Sequence, residues 1–262
     1  MNDALWQEIR AEVEEAASRE PALASYLHAA VLAHPSLESA LAWILAGLLG
    51  NEVVPALSLH RVIEEAFAAD PQIAACMRRD LLAHYQRDPA CDRRSMPLLH
   101  FKGFHALEAH RVAHWLWRQG RRGLAFYLQS RISECFAVDI HPAARIGGGL
   151  MIDHATGVVI GETAVVGEDV SMLHGVTLGG TGHERGDRHP KIGRGVLIST
   201  GAILLGNITV GEGAKIGAGS LVLDSVPPYT TVAGVPARPV GRRLDRMPAL
   251  EMDHSLNGGE GS

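Results

Sequence analysis

The sequence predicts an α+β protein. An N-terminal α-helical domain (residues 1–136) precedes a left-handed parallel β-helix of hexapeptide repeats (137–240), and a flexible C-terminal tail follows (241–262). Three observations predict this. Twelve of the 13 aromatic residues lie at or before Phe136, while 21 of the 29 glycines lie between Gly147 and Gly241, so the chain carries two compositions that suit two architectures. Apolar residues in the first part recur at three- and four-residue spacing. From Ile140 onward an aliphatic residue returns at every sixth position.

In the helical part, Leu5, Ile9 and Val13 share one face, as do Leu41, Ile44, Leu45 and Leu48. Pro21, Pro35 and Pro71 stand where helices are expected to begin, because the first turn has no use for the missing N–H. Gly50-Asn51 reads as a helix stop. Further helices are expected over about 104–118, ending at Gly120, and about 124–135.

The six-residue repeat runs Ile140, Ile146, Ile152; then Ile160, Val166, Met172, Leu178; then Ile192, Ile198, Leu204, Val210, Ile216, Val222. Small residues usually follow: Gly147, Gly161, Gly167, Gly179, Gly193, Ser199, Gly211 and Gly217. Neither a 3.6-residue nor a two-residue period places an aliphatic at every sixth position on one face. A triangular coil does, with six residues per side and small residues at the corners. Two residues are inserted between Ile152 and Ile160. Eight more, within 180–190, must leave the coil as a loop, and loops on a rigid scaffold often carry function. Pro227-Pro228 closes the repeat.

Composition narrows the function. With 47 % apolar residues the chain can build a core, and a net charge of −5 argues against a dedicated nucleic-acid binder. Cys76, Cys91 and Cys135 form no CxxC pair, so neither a disulfide scaffold nor a structural zinc site is expected. The acidic N-terminus lacks a secretory pattern, and the apolar stretch 40–50 falls short of the roughly 20 residues that span a bilayer. A cytoplasmic protein without membrane partners is expected.

Several runs together resemble the serine acetyltransferases, a family of hexapeptide-repeat acyltransferases. They are Asp139-Ile140-His141-Pro142-Ala143-Ala144-Arg145-Ile146-Gly147, Asp153-His154-Ala155-Thr156-Gly157, Gly161-Glu162-Thr163-Ala164, Val176-Thr177-Leu178-Gly179-Gly180-Thr181-Gly182, Gly186-Asp187-Arg188-His189-Pro190-Lys191 and Ala233-Gly234-Val235-Pro236-Ala237-Arg238. Arg87-Asp88-Pro89-Ala90 and Lys102-Gly103-Phe104-His105-Ala106-Leu107 extend the likeness into the helical part. The resemblance implies transfer of acetyl from acetyl-CoA to L-serine, the first step of cysteine biosynthesis. It also implies inhibition by L-cysteine and a homotrimer, or a hexamer of two trimers, with active sites between neighbouring β-helices. No metal is implied.

The implied residues suit that chemistry. A serine hydroxyl needs a base, and His154 supplies an imidazole. Asp139 would hold its second nitrogen; fifteen residues against an eighteen-residue coil sets the two on successive turns. The bland alternatives are a structural corner histidine and a capping aspartate. Asp88 and Asp153 suit the substrate ammonium, with Asp92 competing for the role, although an Asp-Pro pair such as Asp88-Pro89 also starts helices. Arg188 and His189 suit the carboxylate, against the alternative of a merely solvated loop. Gly179, Gly180, Thr200, Gly201, Gly219 and Ser220 would let the pantetheine arm approach the wall, although the coil needs small corner residues anyway. Lys215 and Arg238 could meet phosphates.

Competing constellations are weaker. His110 and His114 lie four apart on a helix but lack a metal-site context. His154, His174, His183 and His189 could build a zinc site between chains, as in carbonic anhydrases with this β-helix, but the Asp139/His154 pair speaks against it. Ser199 and Cys135 have no nucleophile motif, so direct transfer in a ternary complex is expected. An acyltransferase for another acceptor and a non-catalytic regulator of O-acetylserine sulfhydrylase stay open. Binding to that enzyme is disfavoured because the sequence lacks the C-terminal isoleucine many family members use.

Overall fold

A computed structural model describes residues 3–182, 185–241 and 246–255. Eight helices come first: α1 (Ala4–Arg19), α2 (Pro21–Leu27, running into a π-helical turn at His28–Leu32), α3 (Leu37–Leu49), α4 (Ala56–Ala69), α5 (Pro71–Arg87), α6 (Ser95–His100), α7 (Lys102–Arg118) and α8 (Arg122–Phe136). Local chemistry sets their ends. Pro21 and Pro71 open α2 and α5 as expected, and Asp70 caps α5 by accepting from the Gln72 N–H at 3.1 Å. Pro35 instead precedes the cap: Ser36 closes the start of α3 by accepting from Ser39 N–H. Gly50 ends α3. Asp88 ends α5 rather than starting a helix, and its carboxylate accepts from the Ala90 N–H at 2.8 Å.

The strands from Val138 form three parallel sheets, one per side of a triangular prism. The first stacks 138–140, 158–160, 177–179, 203–205 and 221–222; the second stacks 145–146, 165–166, 191–192 and 209–210; the third begins with 151–152, 171–172, 197–198 and 215–216. Every predicted inward aliphatic is buried except Ile146, which is half-buried under α7. Coil lengths follow the insertions. Val159 pairs with Thr177 and Ile203 with Leu221, eighteen residues apart, whereas Val138 pairs with Val158, twenty apart. The third sheet is completed by 231–234, which pairs antiparallel with 237–239.

The segment expected to be a loose tail docks over residues 246–255. A short helix, α9 (Pro248–Glu251), buries Pro248 and Ala249 against the third sheet, and the Ala249 carbonyl accepts from Ser171 Oγ at 2.9 Å. The remainder of the expected tail, 242–245 and 256–262, lies outside the described residues. Among the described residues, no helix is long and apolar enough to cross a membrane.

Candidate active site

The two-residue insertion creates an unusual vertex between the third sheet and the first. His154 and Ala155 both hold left-handed backbone, φ +54° and +58°, in a turn closed by Val158 N–H on the Ala155 carbonyl. Consecutive non-glycine residues in that region are strained and mark sites where geometry has been imposed. The turn lifts the His154 side chain into the open, 72 % exposed, with Nε2 3.7 Å from Asp153 Oδ2. The His174 ring, one coil up, stands edge-on at 5.7 Å.

Helix α7 brings the helical part onto this vertex. Gly103 makes the approach possible, since a Cβ there would stand 2.0 Å from the Ile152 carbonyl oxygen. Lys102 reaches over and donates to Thr156 Oγ1. The resulting cleft is lined by His84 and Asp88 from the end of α5, by Phe101, Lys102 and Gly103, and by Asp153 and His154. Three predicted residues thus meet: Asp88, Asp153 and His154. Asp92 lines a different depression, facing α9.

The structure does not bring Asp139 onto His154 within one chain. Because that coil has twenty residues, Asp139 pairs in register with Val159, and its Oδ1 accepts from Gln129 Nε2 at 2.6 Å. Arg188 and His189 stand on another vertex, between the first and second sheets. Thr163 Oγ1 accepts from both of their backbone N–H groups, and Arg188 Nη2 donates to Glu162 Oε2 at 2.7 Å. The Arg188 hydrogen bond holds the Glu162 carboxyl below its usual range. Burial holds His189 below the ordinary histidine pKa, reinforced by Arg188 and Lys191. His183 lies outside the described residues.

Thr200, Gly201, Gly219 and Ser220 continue the His154 vertex upward: Gly201 N–H donates to the His174 carbonyl, and Gly219 N–H to Thr200. Gly179 and Gly180 sit at the loop base, Gly180 against Arg188. Arg238 is exposed, 3.7 Å from Asp224. Lys215 is not at the surface. It is 2 % exposed, and its Nζ donates to the Asp253 and Ser255 carbonyls at 2.9 and 2.6 Å. Docking of 253–255, which no repeat foretells, puts it there. Sequence reasoning gave no role to Glu162, Thr163, Lys102 or His84. Glu162, Thr163 and Lys102 stood in recognised motifs, but only the fold shows that the first two hold the loop and that Lys102 reaches Thr156.

Residues 189–224 match the bacterial transferase hexapeptide family of six repeats. Coils of this kind, with an imidazole and a carboxylate at one vertex and a second carboxylate brought to them by α5, define a hexapeptide-repeat acyltransferase. Residues 5–109 match the N-terminal region of serine acetyltransferases. The chain is 57 % identical over 254 residues to the serine acetyltransferase of Escherichia coli K12, covering 97 % of this chain and 93 % of that protein. A solved serine acetyltransferase in complex with cysteine superposes with a TM-score of 0.95 at 54 % identity, covering 97 % and 99 % of the two chains. The serine acetyltransferase of Brucella abortus in complex with coenzyme A gives 0.90 at 55 % identity, covering 91 % and 95 %. The chain belongs to the serine acetyltransferase family and is a transferase enzyme.

Proposed function

We propose that the chain transfers the acetyl group of acetyl-CoA to the hydroxyl of L-serine, giving O-acetyl-L-serine and CoA, the first step of cysteine biosynthesis. The convergence of Asp88, Asp153 and His154 in one cleft carries this reading. His154 takes the hydroxyl proton as the serine oxygen attacks the thioester carbonyl. The tetrahedral intermediate then collapses, the C–S bond breaks, and the thiolate recovers the proton from the imidazolium. Asp139, which is not brought onto His154 within one chain, is assigned to orient the His154 imidazole of a neighbouring copy. Asp88 and Asp153 take the substrate ammonium; Arg188 and His189 take its carboxylate. The glycine-bordered vertex through Thr200 and Gly219 offers the pantetheine arm backbone groups at close range, a role supported by the relative solved with coenzyme A. L-Cysteine carries the same ammonium and carboxylate with a thiol in place of the hydroxyl, so it would occupy the serine site as an inhibitor. The relative solved with cysteine supports this.

The ammonium and carboxylate groups stand on two vertices of one prism, on either side of the first sheet. A side of five or six extended residues spans on the order of 15–20 Å, too far for one serine to bridge. The outer face between those vertices exposes Val159, Ile203 and Leu223, the kind of apolar surface that packs against another copy. The reading therefore places each site between neighbouring β-helices of a trimer, with residues 1–136 serving assembly and part of the serine site.

Two measurements test this. Wild-type protein with acetyl-CoA should release thiol in proportion to added L-serine; release without acceptor, or only with a different acceptor, refutes the assignment. Coexpressed His154→Ala and Arg188→Ala chains, each nearly inactive alone, should regain a substantial fraction of wild-type activity in mixed oligomers. A site built within one chain would leave every copy defective and restore nothing.

A further inference from the structure

The proton transfer at His154 makes no use of His84, a wholly buried histidine in the wall of the same cleft. His84 lies on α5 one helical turn before Asp88, so both share a face. Its ring is fixed between Phe101 and Phe104, with centroids 5.9 and 6.0 Å away. Nδ1 stands 2.9 Å from the Asp80 carbonyl oxygen. A carbonyl only accepts, so Nδ1 carries the proton, and burial keeps the ring neutral. Nε2 is therefore a bare acceptor, and it is buried with no hydrogen-bond partner.

Ile152 and the Asp88 and Asp153 carboxylates line the same cleft. The Lys102 ammonium is drawn away to Thr156 Oγ1. An unpaired buried acceptor is costly. The donors of the lining are His100, His154, Lys102 and the Ala90 N–H, and none of them bonds Nε2, so this bare acceptor beside two carboxylates suits a ligand group bearing several N–H bonds. A primary ammonium bears three, splayed as a tripod.

We infer that His84 Nε2 is the third acceptor for the substrate's α-ammonium, beside Asp88 and Asp153. The inference rests on the serine reading and deepens it. Two carboxylates supply charge, while a fixed neutral acceptor supplies direction. Together they favour an α-amino acid over a hydroxy acid of the same length, because the analogue would leave Nε2 unpaired.

Steady-state kinetics on the full-length enzyme tests this. His84→Asn keeps an N–H near the Nδ1 position for the Asp80 carbonyl and deletes Nε2; His84→Gln sets an amide oxygen near Nε2. His84→Asn should raise the serine KM about 10- to 100-fold, the worth of one hydrogen bond to a charged group. The acetyl-CoA KM should stay unchanged, as should inhibition by 3-hydroxypropionate, which lacks the ammonium. His84→Gln should return the serine KM to within about threefold of wild type. Equal losses for serine and 3-hydroxypropionate, or a fall in kcat at unchanged serine KM, would overturn the assignment. Should His84→Asn fail to fold by circular dichroism, His84→Gln decides alone: a serine KM near wild type supports the assignment, and a tenfold rise rejects it. Asp153→Asn is measured in parallel. If it too leaves the serine KM unchanged, the serine site itself is misplaced; if only His84→Asn does, the error lies with His84.

Discussion

Replacing His154 with alanine should lower the turnover of acetyl transfer by about 10²–10⁴-fold, the usual contribution of a general base, while leaving the melting temperature nearly unchanged. Both halves follow from one geometry. The side chain is mostly in solvent and supports no core contact, so little packing is lost. Alanine keeps the Cβ that histidine already carries in the left-handed turn, so the backbone strain at φ +54° is the same in both proteins. The cleft holds two further imidazoles: His84, assigned to the substrate ammonium, and His100, at the end of α6. The carboxylates of Asp88 and Asp153 are assigned to an ammonium, and Lys102 is a cation held on Thr156. The His174 ring centroid lies 5.7 Å from that of His154, on the coil above rather than in the cleft lining. Serine-dependent thiol release by the purified variant is the measurement. A loss below about fivefold would mean that another group takes the proton. A large loss accompanied by a collapsed melting transition would mean that the histidine served the fold.

The contrast between the two halves of the chain shows what a sequence can convey. The β-helix was legible because each coil repeats the same local problem: one aliphatic inward every sixth residue and a small residue at the corner. The insertions marked two vertices, the turn at His154 and the loop bearing Arg188, to which the proposed function assigns the substrate. Register was less legible. The two extra residues belong wholly to the coil that separates Asp139 from its stacked partner, so Val159, not a residue near His154, lies above it. Long-range docking was illegible. Lys215 reads as a surface cation until Asp253 and Ser255 are seen to cover it, and Asp88-Pro89 reads as a helix start until Asp88 is seen to end α5. The pairing of Asp88 with Asp153 joins residues 65 positions apart. The docking of α5 and α7 on the first coils creates it, through Asp80 on the Leu150 N–H, Arg87 on Ser171 and the close approach at Gly103, and none of these contacts is signalled by local sequence.

The junction that holds this cleft in shape carries the second large effect. Asp80, Glu108 and Arg111 are buried together where α5 and α7 meet the first coil. Asp80 Oδ2 accepts from Arg111 Nε and Nη2 at 3.0 and 2.5 Å, and Oδ1 accepts from the Leu150 N–H at 2.7 Å. Arg111 also donates to the carbonyls of Ile146 and Gly147. Glu108 Oε2 lies 3.5 Å from Arg111 Nε. Two carboxyls face one guanidinium, so only one of them can be charged without a net buried charge. Burial pushes the Glu108 pKa well up, and the Asp80 charge pushes it further, so Glu108 is the neutral member. Glu108→Gln, neutral at every pH, should therefore melt at or above wild type at pH 8. The sign follows from linkage: a carboxyl whose folded pKa is raised favours folding below its unfolded pKa and loses that advantage as pH rises towards the folded value. The gap between Glu108→Gln and wild type should accordingly shrink as pH falls from 8 towards 4.5. Asp80→Ala strands the Leu150 N–H and removes the partner of Arg111, but it also frees Glu108 to ionise and take that place. The double variant Asp80→Ala/Glu108→Gln has no such recourse. It should lose about 3–5 kcal/mol, the cost of an unpaired buried charge, a fall in melting temperature on the order of 10 °C. Asp80→Ala alone should lose distinctly less. Strict additivity of the two substitutions across thermal melts at pH 8 would show that Glu108 does not respond to Asp80, and that the junction is held by packing alone.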